Sequence, residues 1–228
     1  MQSEMQLLKR YDSVLERIQT ACLKSGRKTD DVKLLAVTKY ALAQDIYTLL
    51  TNRKVPFIAE SRLQESLIKW GQPPLSALKP IKFFIGQLQS NKIAKILTDF
   101  DIICSIDSLK LAQRINTQSE KLAKAATCLL QIKLTQKQTQ GGVSMGEAAK
   151  LIADIRQQCP AVKLAGIMAI APQTGDAEQL RPLFKEVKKF FDDNFEQDAY
   201  LSLGMSEDFE VAVQEGSNLP RIGSAIFG

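Results

Sequence analysis

Short apolar runs and longer amphipathic stretches alternate along the chain at a nearly constant interval. The runs are KLLAVTK (33–39), PFIAE (56–60), IKFFIGQL (81–88), DIICSID (101–107), TCLLQIKL (127–134), VKLAGIMAI (162–170), AYLSLGMS (199–206) and LPRIGSAIFG (219–228). They are continuous rather than alternating, which suits strands buried on both faces under a layer of helices. Between them the spacing predicts helices over Ala43–Arg53, Ser61–Trp70, Ser90–Leu97, Ser108–Ala123, Ser144–Gln157, Asp176–Phe195 and Ser206–Gln214. One more helix precedes the first strand, with Met5, Leu8, Tyr11, Leu15, Ile18 and Cys22 predicted on one face and its end near Gly26.

Eight strands with seven intervening helices predict an α/β fold, a single-domain (β/α)8 TIM barrel over residues 1–228 with an extra N-terminal helix. A doubly wound open sheet shares the local pattern. The count of eight units in a chain near the usual barrel length favours the barrel. No linker rich in Pro, Gly or Ser divides the chain. GQPPLSALKP reads as a helix-to-strand loop, and TQKQTQGG as a polar loop after the fifth strand.

Composition narrows the function. Apolar residues make up 45% and charged residues 24% of the 228, ordinary values for a globular protein. The net charge of +5 comes from lysines scattered among acids, with no basic block of the nucleic-acid kind. The first residues are too charged for a signal peptide, and no apolar run is long enough to span a bilayer. Cys22, Cys104, Cys128 and Cys159 are far apart and read as reduced core thiols of a cytoplasmic protein. Histidine is absent, which removes Ser-His triads, imidazole acid–base catalysis and His-based metal sites.

In a barrel of this kind the active face lies at the C-terminal ends of the strands. Those ends carry Lys39, Glu60 with Ser61, Gly86, Ser105 with Asp107, Met168, Gly204 with Ser206, and Arg221 with Gly223 and Ser224. Lys39 shares strand parity with Leu35 and Val37 and points inward if they do. A snorkelling lysine at a strand end has the same local sequence. The loops after the last two strands, GMSED and RIGSAIFG, combine glycines, serine hydroxyls and an arginine, the materials of a phosphate site. Ser206 also suits a plain helix N-cap, and Gly223 a simple turn. A lysine facing a phosphate site points to pyridoxal 5'-phosphate, held as a lysine Schiff base. Aldolase-type chemistry on a sugar phosphate has the same needs.

LLAVTK, AESRLQES, FFIGQLQSNK, GIMAI, LSLGMSEDFEVAVQEGS and RIGSAIFG, in this order, resemble the pyridoxal-phosphate homeostasis proteins, the YggS/PROSC type. The resemblance implies a fold-type III barrel like the alanine racemase N-terminal domain. It implies pyridoxal phosphate on Lys39, with the phosphate around Ser206, Arg221, Gly223 and Ser224; Ser61 and Met168, taken from the strand ends, complete the expected cofactor contacts. Four positions depart from the family pattern. Ala59-Glu60-Ser61 replaces Gly-Glu-Asn, Phe84 a histidine, Gln140 a lysine, and Ser224 a threonine.

The resemblance implies binding, buffering and delivery of the cofactor without turnover, with PLP-dependent apo-enzymes as partners. A monomer is expected, with neither nucleic acid nor membrane as partner. The alternative is a small fold-type III enzyme such as an amino-acid racemase. Racemisation needs an acid–base group on each face of the cofactor. In racemases of this kind one is a tyrosine from a second domain, and this chain reaches Gly228 without one. Tyr40 is expected to face outward, Tyr11 and Tyr47 to lie on helices, and Tyr200 toward the far end of the barrel.

Overall fold

The computed structural model describes residues 3–135 and 141–228. The strands in chain order are β1 (Leu35–Val37), β2 (Phe57–Glu60), β3 (Ile81–Phe84), β4 (Ile102–Ile106), β5 (Ala126–Lys133), β6 (Val143–Ser144), β7 (Val162–Ile170), β8 (Tyr200–Ser202) and β9 (Arg221–Ile222). All pair in parallel along the path β8-β7-β5-β4-β3-β2-β1-β9, and the short β6 adds to β5. The two ends of the path meet. The amides of Asn218 and Leu219 donate to the Leu201 carbonyl, and the Arg221 amide donates to the Gly204 carbonyl at 3.0 Å. Together these close an eight-stranded barrel, as the pattern predicts.

The helices are α1 (Glu4–Lys24), α2 (Ala43–Asn52), α3 (Leu63–Trp70), α4 (Ile93–Asp99), α5 (Leu109–Lys121), α6 (Met145–Gln158), α7 (Arg181–Asn194), α8 (Phe209–Gln214) and α9 (Ser224–Phe227). Because β9 is followed by so short a helix, the outer faces of β1 and β9 need another cover. Helix α1 supplies it. Leu7, Tyr11, Val14, Ile18, Ala21 and Cys22 pack with Ala36, Phe209, Ile222 and Ile226. Each large apolar side chain buried this way contributes about 1.5–3 kcal/mol on a transfer scale. The expected face was partly wrong, since Met5 and Leu15 are exposed. The stripe runs through Leu7, Val14 and Ala21, whose seven-residue spacing keeps them over one seam.

Strand alternation sorts the residues inside and outside the barrel. Leu35, Val37, Phe57, Ala59, Phe83, Ile102, Cys104, Leu129, Met168 and Leu219 form one interior cluster. Phe57, Phe83 and Tyr200 meet edge to face at the end where the strands begin, so Tyr200 lies away from the mouth. Gly166 permits a tight spot in the wall. Its φ is +139°, and a Cβ there would stand 2.0 Å from the Tyr200 carbonyl oxygen.

Several helix starts differ from expectation. The segment before α4 is a 3-10 turn over Ser90–Lys92, and Ala177–Leu180 forms another before α7. Helix α8 starts at Phe209, so Ser206 is not its N-cap. The loop residues 136–140, with Gln140, lie outside the described residues. All four cysteines are free and buried, as the sequence predicts for core thiols. Burial pushes the Cys104 thiol up to about 12 and raises Cys128 further. Among the described residues no helix is long and apolar enough to cross a membrane.

Candidate functional site

A cavity of about 450 Å³ opens at the C-terminal ends of the strands. Lys39, Ser206, Arg221, Gly223 and Ser224 line it together, with Val37, Tyr40, Met205 and Asp208. Register explains the convergence. Leu35 and Ala36 of β1 pair with Arg221 and Ile222 of β9. Val37 therefore stands beside Gly223, where an added Cβ would meet the Val37 Cβ at 3.3 Å. Lys39 follows Val37 by two residues and keeps its inward parity. Its side chain is half buried, with Nζ 5.1 Å from the centre of the Tyr40 ring. Among the described residues Lys39 forms no ion pair, so the amine is not committed to a carboxylate.

Arg221 sits one inward position deeper than Gly223 and is 5% exposed. Its Nη1 donates to the Ser202 carbonyl at 2.7 Å and hydroxyl at 2.9 Å, and Nη2 donates to the Ala169 carbonyl at 2.9 Å. A guanidinium has five N–H donors. The Nε hydrogen and one Nη2 hydrogen have no partner among the described residues. Burial pulls the Arg221 pKa down to about 10, against the opposing pull of Cys104 and Asp208. It stays cationic at neutral pH.

The loop after β8 turns at Gly204, whose φ is +86° and whose Cβ, if present, would stand 2.7 Å from the Ala212 Cβ. Asp208 accepts from the Met205 amide, which ties the turn together. Its carboxyl is raised above the ordinary range by burial, while the Met205 amide and Arg221 pull the other way. The Ser206 hydroxyl accepts from the Ala225 amide at 3.2 Å and joins the last two loops. Acting as acceptor there, it keeps its own proton free to donate. The Ser224 amide has no partner among the described residues. Two hydroxyls, a free amide and a buried cation thus converge opposite one amine.

Other sequence candidates lie elsewhere. Met168 is 1% exposed and belongs to the interior cluster beneath the cavity, and Ser61 is not among the lining residues. The Ser61 carbonyl instead presses on Gly86, where a Cβ would be 2.0 Å from it. Glu60 is fully buried but on the outward parity of β2, among the helices. Ser105 and Asp107 line a different hollow, with Gln131. Tyr40, expected to face away, lines the cavity while remaining 71% exposed. The turn after β1 ends the alternation that the expectation rested on, which is why strand parity missed it. Asp208, an acid whose place before a helix also suits the helix dipole, lines the cavity as well.

A family model described as the alanine racemase N-terminal domain matches residues 13–228. The pyridoxal phosphate homeostasis protein of Aquifex aeolicus is 33% identical over 231 residues, spanning 98% of either chain. The chain belongs to the pyridoxal phosphate homeostasis family, on the alanine racemase N-terminal domain fold. Solved structures agree with this membership. A Bifidobacterium adolescentis protein superposes with a TM-score of 0.89 at 29% identity, covering 98% of this chain and 95% of that one. PipY of Synechococcus elongatus, solved with PLP bound, has a TM-score of 0.78 at 31% identity, covering 94% of this chain and all of PipY. The family's barrel is therefore present here nearly end to end.

Proposed function

We propose that the protein binds pyridoxal phosphate at the Lys39 cavity, buffers it, and passes it on without turnover. The observation that carries this reading is the meeting of one uncommitted amine with a phosphate-type donor set in a single cavity. Its volume of about 450 Å³ falls in the range of small-ligand pockets. The donors suit a phosphate ester. Ser206, Ser224 and the Ser224 amide supply neutral hydrogen bonds at the rim, and Arg221 supplies positive charge from the barrel interior. Gly223 keeps that rim low, because any side chain there would press on Val37. When bound, the cofactor offers an aldehyde that condenses reversibly with a primary amine, and Lys39 is the amine at hand.

Delivery rather than catalysis fits the open mouth. An acid–base catalyst needs a second proton-transfer group in a water-poor site. Tyr40 is the tyrosine beside Lys39, and it is 71% exposed. The name of the relatives, pyridoxal phosphate homeostasis protein, points the same way. Cytoplasmic apo-enzymes that require the cofactor are the expected recipients, and the carrier works as a monomer. The deciding assay incubates the loaded protein with L-amino acids in deuterated water. Exchange near that of free cofactor, with transfer to an apo-enzyme, supports the carrier. α-Proton exchange at an enzymatic rate, abolished by Lys39→Ala, would establish the racemase-type alternative.

A further inference from the structure

We infer that Glu60, Lys69 and Thr38 form a buried clamp, outside the barrel wall, that sets the direction of the Lys39 side chain. The inference rests on the reading of Lys39 as the capturing amine. Thr38 and Glu60 both face the helix layer, opposite in parity to Lys39. Glu60 Oε1 accepts from the Thr38 hydroxyl at 2.8 Å and from Trp70 Nε1 at 3.1 Å, and pairs with Lys69 Nζ at 2.9 Å. The same Lys69 Nζ donates to the Thr38 carbonyl at 2.6 Å. That carbonyl belongs to the peptide plane joining Thr38 to Lys39. Holding its oxygen fixes the plane and the N–Cα bond of Lys39, and the Ala41 amide, donating to the same oxygen at 3.0 Å, limits the φ that would swing its Cβ.

The site needs such a device. Strand β1 stops at Val37, so the regular ladder does not extend to the lysine. Beyond it, the Thr38 amide still donates to the Ala59 carbonyl at 2.9 Å, and the Thr38 carbonyl also accepts the Ala41 amide at 3.0 Å. Thr38 is thus held at its amide, its hydroxyl and its carbonyl, one residue before a half-buried side chain with no ion pair of its own. A buried carboxylate–ammonium pair is seldom the cheapest way to stabilise a core, since well-packed apolar residues do as well or better. Glu60 even keeps Oε2 buried without a partner. Fixing the angle of an attacking amine is a use that apolar packing cannot supply, and small misplacements of reacting groups cost large factors in rate.

The test compares Lys69→Met, Lys69→Arg and Thr38→Val with wild type and Lys39→Ala. Two quantities are read on each folded variant. One is the affinity for pyridoxine 5'-phosphate, which has no aldehyde and cannot condense. The other is the rate at which pyridoxal 5'-phosphate becomes fixable by borohydride. Lys69→Met is expected to keep pyridoxine phosphate affinity within about twofold and to slow capture by about tenfold. Lys69→Arg, which retains a donor for the Thr38 carbonyl, recovers most of the rate. Thr38→Val removes one hydroxyl at constant shape and gives a smaller slowing if Lys69→Met does not fold. Unchanged capture in Lys69→Met or, failing that, in Thr38→Val would overturn the clamp. So would an equal loss of both quantities, the mark of a collapsed pocket. If Lys39→Ala captures as fast as wild type, the reading of Lys39 itself fails, a result distinct from either.

Discussion

Replacing Arg221 with methionine should leave the ligand-free barrel almost as stable as before while removing most of its affinity for phosphorylated ligands. The free-energy terms come from its setting. Burial draws the guanidinium down from the ordinary arginine range to about 10, so keeping it charged at neutral pH costs about 3 kcal/mol. Methionine relieves that cost and fills similar volume. Against this, the Ala169 carbonyl and the Ser202 carbonyl and hydroxyl lose a donor, at about 1 kcal/mol each. The terms nearly cancel. The ligand-free variant should melt within about 4 °C of wild type, since 1 kcal/mol moves a chain of this size by about 2–4 °C. Ligand binding has no such compensation. Losing a charge-assisted donor costs about 1.5–3 kcal/mol, or about one to two decades in affinity. The pH dependence has a definite sign. The folded pKa lies below the unfolded one, so the cost is complete below about 10 and is relieved as pH rises from there toward the ordinary arginine range. Wild type should therefore gain on Arg221→Met as pH rises above about 10, measured by urea unfolding. A ligand-free variant destabilised by more than about 3 kcal/mol, or one with unchanged affinity for pyridoxine phosphate, would refute the reasoning.

Asp208→Asn should tighten phosphate binding about three- to tenfold, because a buried carboxylate beside Arg221 opposes an incoming anion. Isothermal titration at pH 7.5 with pyridoxine phosphate measures this, and weaker binding would contradict it. Gly204→Ala should destabilise by about 2–4 kcal/mol, from left-handed backbone strain plus overpacking against Ala212 and Phe209. A denaturant midpoint close to wild type would show that the loop yields more easily than its packing implies. Ser206→Ala should reduce the preference for pyridoxal phosphate over pyridoxal by about tenfold, while an unchanged preference would put the phosphate elsewhere.

The barrel was legible because its strands are apolar on both faces, a pattern that survives without knowledge of any partner strand. Lys39, Arg221 and Gly223 were legible for a related reason. Alternation carries inward parity from Leu35 and Val37 to Lys39, and from Leu219 through Arg221 to Gly223. Parity stops being informative where the strand stops. Tyr40 is at the cavity because the chain turns after Thr38, and Glu60 faces the helices although its position in the sequence put it at the mouth. Met168 has the right parity but sits too deep, a matter of strand stagger that periodicity does not contain. The hydroxyl-lined rim was readable only as composition. The bond from the Ala225 amide to Ser206, which joins two loops 19 residues apart, belongs to tertiary structure. The face of α1 was misplaced because Met5 and Leu15 are as apolar as the residues actually buried.

The most direct measurement is the position of the cofactor on the chain. The protein is incubated with pyridoxal phosphate, reduced with borohydride, digested, and its peptides are read by mass spectrometry. A single phosphopyridoxyl group on Lys39, absent from Lys39→Ala and blocked by excess pyridoxine phosphate, is the predicted result. Label spread over surface lysines, or label that persists undiminished in Lys39→Ala, would contradict it.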